Sequence, residues 1–249
     1  MSNSSLRPVP DEHHGFSKTR WSLVLDLHHP QGDLADRSLR ELSDRYWYAV
    51  YAYARRSGHC PGSANDLCLA FFAHLPRVVA SIDPRSHGRF RDFLLQQLNA
   101  FLTEDWHQYL PDVLQENLTA PFSVDELEAR LSQDHAASVT PTQAYHRSFA
   151  LEVLNRSLQR LRTEAAQSGR LEMFRLLQPF LTSEPVAGQY EEFSKQLKIP
   201  PMMVAIAIKR LRQRFRELAE DELMETVASP ADLTTEREAL ANLLAGKTV

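Results

Sequence analysis

Twelve residues toward the C-terminal end, "AIKRLRQRFREL" (207–218), hold five cations: Lys209, Arg210, Arg212, Arg214 and Arg216. Four are guanidiniums, which stay charged at any working pH and present forked donors that match phosphate oxygens. Their chemistry is neutralisation of a polyanion, unless the run is simply a solvated helix face. The chain as a whole has a formal net charge of −4, so this positive charge is local. Residues able to do other chemistry are poorly placed for it. His13, His14, His28 and His29 fall in a polar tail and a loop, while Asp105 and His107 sit too close along one helix to face each other. Cys60 and Cys68 read as small buried apolar residues, and with His59 and His74 they fit no zinc spacing. No nucleophile motif, phosphate loop or metal-spaced set occurs. Neither an enzyme nor a cofactor or metal is expected.

The elements around the cations give them a geometry. In "YEEFSKQLKIPPMMVAIAIKRLRQRFREL", Tyr190, Phe193 and Leu197 mark one face of a short helix. "KIPP" supplies a tight turn, and Pro201 suits the first turn of a following helix. There Val204, Ile208, Leu211, Phe215 and Leu218 recur as one apolar stripe. This is the layout of a helix-turn-helix, whose second helix reads base edges from its N-terminal end while cations meet phosphates. The candidate DNA-binding residues are Lys198 in the turn, Met202, Met203, Ala205 and Lys209 toward the groove, and Arg210, Arg212 and Arg214 toward phosphate. Two methionines would make apolar contacts with bases rather than a hydrogen-bond code.

The rest of the chain reads as helical too. Eight glycines in 249 residues are few, and apolar residues recur at spacings of three and four rather than two. Expected helices cover part of "FSKTRWSLVLDL", with Trp21, Val24 and Leu25 on one face; about 36–57, with Leu39, Leu42, Tyr46, Val50 and Tyr53; about 64–81, bent or ended near Pro76; and a long one from about Arg89, with Phe90, Leu94, Leu98 and Phe101. No Lys or Arg occurs between Arg91 and Arg130, where acidic residues accumulate around Pro111 and Pro121. That stretch reads as an acidic linker with one short helix near 123–132. An acidic linker could also fold over the basic helix and inhibit it. Beyond it, Leu151, Leu154, Leu158 and Leu161 form a stripe, "RLEMFRLLQPFL" forms another helix, and "SPADLTTEREALANLL" forms a terminal helix with Ser229 or Thr234 as its cap. The expected organisation is all-α: a disordered tail 1–15, a helical domain 16–110, a linker 111–141, a helix-turn-helix domain 142–225 and a C-terminal helix 226–249. No apolar run reaches membrane length and the N-terminus is no signal peptide, so a cytoplasmic protein is expected.

Seven stretches, in order, carry a family resemblance: "TRWSLVLDL", "RYWYAVYAYARRSGH", "DLCLAFFAHL", "GRFRDFLLQQLNAFLTEDW", "YEEFSKQLKIP", "IKRLRQRFREL" and "ETVASPAD". Together they resemble the extracytoplasmic-function type of bacterial RNA polymerase sigma factor. The resemblance implies a first domain that docks on the polymerase and opens the promoter, and a second that reads the upstream promoter element. It implies RNA polymerase core and double-stranded promoter DNA as partners, with an anti-sigma regulator or other protein as a further one. In the loop "SIDPRSHGRFR" it implies that Arg85, Arg89 and Arg91 hold the displaced strand. The bland alternative for that loop is a helix-start turn with solvated arginines.

Three departures bear on function. The family's Gln-Glu pair on the polymerase-docking face is replaced by Leu69 and Ala70, which leaves Asp66 as the matching polar residue. The family's basic run after the tryptophan of the long helix is replaced by "HQYLPDVLQ", which has no cation for phosphate. Lys198 stands where a turn glycine is usual, and Pro200 replaces a capping serine. The expected function is a sigma-type initiation subunit. The alternative is a sigma-derived DNA-binding regulator or interaction module that no longer opens promoters, with Leu69 to Phe72 facing another partner unless Phe71 and Phe72 are core.

Overall fold

The run "RYWYAVYAYARR" lies within α2 (Asp33–Arg56), whose first turn holds Asp33 and Asp36 and whose last holds Arg55 and Arg56, matching the helix dipole at both ends. From Tyr46 to Ala52 every side chain of α2 is buried. A helix buried all round needs neighbours on every side, and α2 has them in α1 (Arg20–Asp26), α3 (Pro61–Val79) and α6 (Pro141–Gln167). Ring contacts key the packing. Tyr46 stacks on Phe149 of α6 with centroids 5.4 Å apart and meets Phe90 edge-on, and Trp47 stacks on Phe72 of α3 at 5.5 Å.

The computed structural model describes residues 20–27, 33–80, 89–110, 118–134, 139–186, 188–227 and 230–244. These form helices and connecting turns with no strand among them, as the 3.6-residue periodicity requires. No helix of the described residues is long and apolar enough to cross a membrane. The other α-helices are α4 (Phe90–Leu102), α5 (Val124–Gln133), α7 (Leu171–Leu177), α8 (Gln189–Leu197), α9 (Pro201–Met224) and α10 (Pro230–Leu244). The expected face of α4 is the buried one: Phe90, Leu94, Leu98 and Phe101 all lie in the core.

Several local expectations change. In α1 the buried residues are Leu23, Val24 and Leu27, while Leu25 points outward. Helix α3 starts at Pro61, because proline lacks the N–H that a first turn leaves unpaired anyway, and it continues through Pro76. Cys60 precedes α3 and is exposed, so Cys68 alone is the buried apolar thiol, with burial pushing its pKa well up. Pro141 is the first residue of α6 and no part of a linker. Thr140 and Gln143 form a reciprocal capping box there, worth about 1 kcal/mol. Helix α10 starts at Pro230, so Thr234 lies inside it, and Ser229 falls outside the described residues.

The described part of the acidic segment does not cover the basic helix. Ser123 and Glu126 cap α5 reciprocally, Leu127 is buried, and Glu128 accepts from Arg55 Nε at 2.7 Å and from the Tyr51 hydroxyl at 2.6 Å. Arg130 lies over the Phe122 ring and pairs with Glu152 of α6. Glu128 of this segment therefore neutralises Arg55 of α2, and Asp134 pairs with Arg147 of α6.

Helix α6 connects the two ends of the molecule. Its 27 residues span about 40 Å at 1.5 Å each. Tyr145, Phe149, Ala150 and Val153 belong to the large core around α2, while Leu161 packs with Phe174 and Leu218. The buried row is thus Phe149, Val153, Ser157 and Leu161; Leu151, Leu154 and Leu158 are only half-buried. The expected stripe was offset because α6 presents different faces to different neighbours along its length. Helix α9 also bridges the clusters. Glu222, near its end, accepts from Arg45 of α2 and Arg160 of α6, each at 3.1 Å, and Glu225 accepts from Arg45 at 3.0 Å.

Candidate nucleic-acid interface

The helix-turn-helix arises from a small core of Leu177, Phe180, Phe193, Val204 and Ile208, with Tyr190 and Leu197 packed at its edge. Leu218 is also fully buried, while Leu211 and Phe215 are half-buried, so the apolar stripe of α9 faces inward as its spacing requires. Helix α8 ends at Lys198, which adopts φ 54° and ψ 40°. Among the described residues it is the only non-glycine with positive φ. The left-handed residue lets the N–H groups of Lys198 and Ile199 both reach the Ser194 carbonyl, and the Ser194 hydroxyl donates to the Ile199 carbonyl at 2.6 Å. Pro200 then caps α9 with its carbonyl alone, which accepts from Met203 N at 2.8 Å. The chain thus makes the turn with a residue that strains it.

The exposed face of α9 is Met202, Ala205, Lys209, Gln213 and Arg216, flanked by Met203 and Arg210. Met202 is 75% exposed, far more than an apolar side chain needs to be in a helix that has a core to pack on. Lys209 and Arg210 are exposed and make no ion pair among the described residues. Met203 and Arg210 also border an apolar groove of about 430 Å³ between α6, α7 and α9, lined among others by Phe174, Leu177 and Leu211.

Arg212 and Arg214, expected to face phosphate, are used internally, while Arg216 stays on the exposed face. Arg212 Nε donates to the Phe180 carbonyl, its Nη1 to Glu184 and its Nη2 to the Ser183 carbonyl, each at 2.6 Å. It staples α9 to the loop before α8. Arg214 forms a two-pronged pair with Glu164 of α6, at 2.9 and 2.8 Å, and also binds Glu217. These bonds hold the Glu164 carboxyl below its usual range. Arg216 is turned along its own helix to Gln213 and the Arg212 carbonyl.

The first-domain candidates fare differently from the turn. Arg85 lies outside the described residues. Arg91, expected to hold a DNA strand, is 3% exposed and donates Nε and Nη2 to the two oxygens of Glu236 on α10, at 2.6 and 3.1 Å. Arg89 reaches the same carboxylate at 3.1 Å, and Glu236 is 0% exposed. His146 of α6 turns Nδ1 to Arg91 Nη1, and burial together with the Arg91 charge lowers its pKa to about 4, so the ring is neutral and accepts. In this structure both arginines are paired with Glu236 rather than simply solvated. The periodicity of α10 held the missed signal: Leu233, Glu236, Leu240 and Leu244 share one face, with a carboxylate in an otherwise apolar row. Of the docking candidates, Asp66 is exposed, Leu69 is half-buried against the core, and Ala70 is fully buried and offers no surface. Phe71 and Phe72 are core residues.

No protein-family model, curated protein or solved structure matches the chain. The interface therefore rests on its own geometry.

Two measurements check these assignments. Lys198→Gly relieves the left-handed strain and raises unfolding stability by about 0.5–1 kcal/mol in a denaturant titration; a loss of stability contradicts the strained turn. For His146 the unfolded chain binds the extra proton between pH 6.5 and about 4, so stability falls as pH drops through that window. The loss approaches roughly 3 kcal/mol at its lower end, and His146→Gln should flatten the stability-versus-pH curve there relative to the parent.

Proposed function

We propose that the chain reads duplex DNA through α9 and serves as a sigma-like, non-catalytic subunit that brings RNA polymerase to promoters. One observation carries the DNA-binding half: a short helix, a left-handed turn at Lys198 and a second helix whose first three turns expose Met202, Met203, Ala205, Lys209 and Arg210 together. An exposed apolar pair beside free cations at the start of a helix suits thymine methyl contacts flanked by phosphate contacts. The polymerase half rests on the seven sequence stretches that resemble the extracytoplasmic-function sigma factors. Arg212 and Arg214 act in this reading as positioning residues that fix α9 against α6 and the loop before α8.

A second reading, a sigma-derived regulator that binds DNA without opening promoters, has specific support. Ala70 has no exposed surface, and the Arg91 guanidinium is sealed against Glu236. The first feature removes a polymerase-docking contact of this family, and the second a contact with the displaced strand.

Salt-dependent binding to duplex DNA separates free from tied cations. Lys209→Ala and Arg210→Ala should each shallow the slope of log affinity against log salt by about 0.9. Arg212→Ala should leave the slope unchanged and lower the melting temperature instead. Equal slopes in all three variants would return Lys209 and Arg210 to a solvated face. Affinity capture of core polymerase followed by run-off transcription then decides between the two readings. Promoter-specific transcript supports the initiation subunit; DNA binding without transcript supports the regulator.

A further inference from the structure

We infer that α10 is a built-in competitor for nucleic acid: the Glu236 carboxylate occupies a phosphodiester site formed by Arg89 and Arg91 at the start of α4. The choice of a phosphodiester as the displacing ligand rests on the DNA-binding reading above; the internal contact itself does not.

The contact has the form of an occupied anion site. Two guanidiniums converge on a single carboxylate: Arg91 binds both its oxygens and Arg89 one of them. Forked donors on two oxygens of one anion are also how arginines hold a phosphate. Asp92 stands farther off, at 3.7 Å from Arg91 and 3.9 Å from Arg89, and is half in solvent. The neighbouring group from α6 is His146, which is held neutral, and the Tyr145 hydroxyl donates to the Arg91 carbonyl. No lysine or arginine of α10 enters the site, so the only charge this helix contributes to it is negative.

The cover is also lightly held. Its inward row is Leu233, Glu236, Leu240 and Leu244, and only Leu240 among the three leucines is fully buried. Further tethers include the buried Ala239, an exposed pair between Arg237 and Glu220 and a bond from Arg147 to the Leu244 carbonyl. Replacing a buried ion pair by packed apolar side chains is usually neutral or stabilising, so a leucine at 236 would dock this helix at least as well. A carboxylate in the seam instead lets the two surfaces part into water with both charges solvated. Helices with few apolar contacts are among the first to open by local unfolding.

The full chain and its variants, with a fluorescein-labelled oligothymidylate as the single-strand probe, test this. Glu236→Gln should loosen α10, read as faster hydrogen exchange over 230–244. It should also tighten binding at low salt by roughly tenfold and steepen the salt slope by about 1.4, two phosphates at about 0.7 each. Leu240→Ala, which keeps every charge, should give a smaller gain of the same sign. Adding Arg89→Gln and Arg91→Gln to Glu236→Gln should abolish the gain. An unchanged affinity in Glu236→Gln, or a gain that survives loss of both arginines, overturns the proposal. So does loss of the cooperative melt in Glu236→Gln, which would make the pair part of the core rather than a cover. A duplex probe measured alongside reports the α9 surface; its failure sinks the DNA-reading proposal while leaving the single-strand comparison decisive for α10.

Discussion

One long helix sets the geometry of the whole molecule. Helix α6 enters the large core through Tyr145 and Phe149 and leaves it to pack Leu161 against Phe174 and Leu218. A straight α-helix transmits orientation along its length, because its side-chain directions repeat every 3.6 residues. The face of α6 that meets α2 therefore fixes the face offered to α7 and α9. Helix α9 returns the constraint from the other side, with Glu222 clamped by Arg45 and Arg160. Helix α9 is thereby referenced to the aromatic core more than 150 residues upstream in sequence.

Charge is distributed by the same logic. Arginines that meet a carboxylate across two helices act as staples: Arg45 with Glu222 and Glu225, Arg55 with Glu128, Arg147 with Asp134, Arg214 with Glu164. Such half-buried pairs add little net stability, but they penalise wrong registers, since removing one partner strands a charge in a poorly hydrated place. In the 104–134 region Glu128 and Asp134 are used in this way. What is left free on α9 is a narrow set, Lys209 and Arg210 beside two methionines. A small number of free cations implies modest non-specific affinity and leaves discrimination to the apolar contacts.

The two candidate nucleic-acid surfaces differ in state. The surface on α9 is open, with its cations in water and its shape held by Arg212 and Arg214 from behind. The arginines at the start of α4 are closed, each bound to the carboxylate of a terminal helix. The exposed face of α9 is accessible as it stands, whereas the arginines at the start of α4 are covered by α10.

The sequence by itself determined the all-helical character, the α8–turn–α9 unit and the faces of α4 and α9, because apolar spacing and turn chemistry act over a few residues. Even the awkward Lys198 was visible, since a turn of that length needs a left-handed residue whatever its side chain. The short helix expected near 123–132 in the acidic segment lies at Val124–Gln133. What only the tertiary structure decided is which charges are spent. Arg91 and Arg210 are alike in sequence, each a basic residue beside an apolar stripe, yet one is sealed by Glu236 and the other is free. The partner that seals Arg91 lies 145 positions away, and periodicity carries no information over that distance. The same holds for Ala70, buried by helices that arrive from elsewhere in the chain, and for the offset stripe of α6. Local spacing specifies an element and its faces; only packing specifies which face meets which, and so which cations remain for a partner.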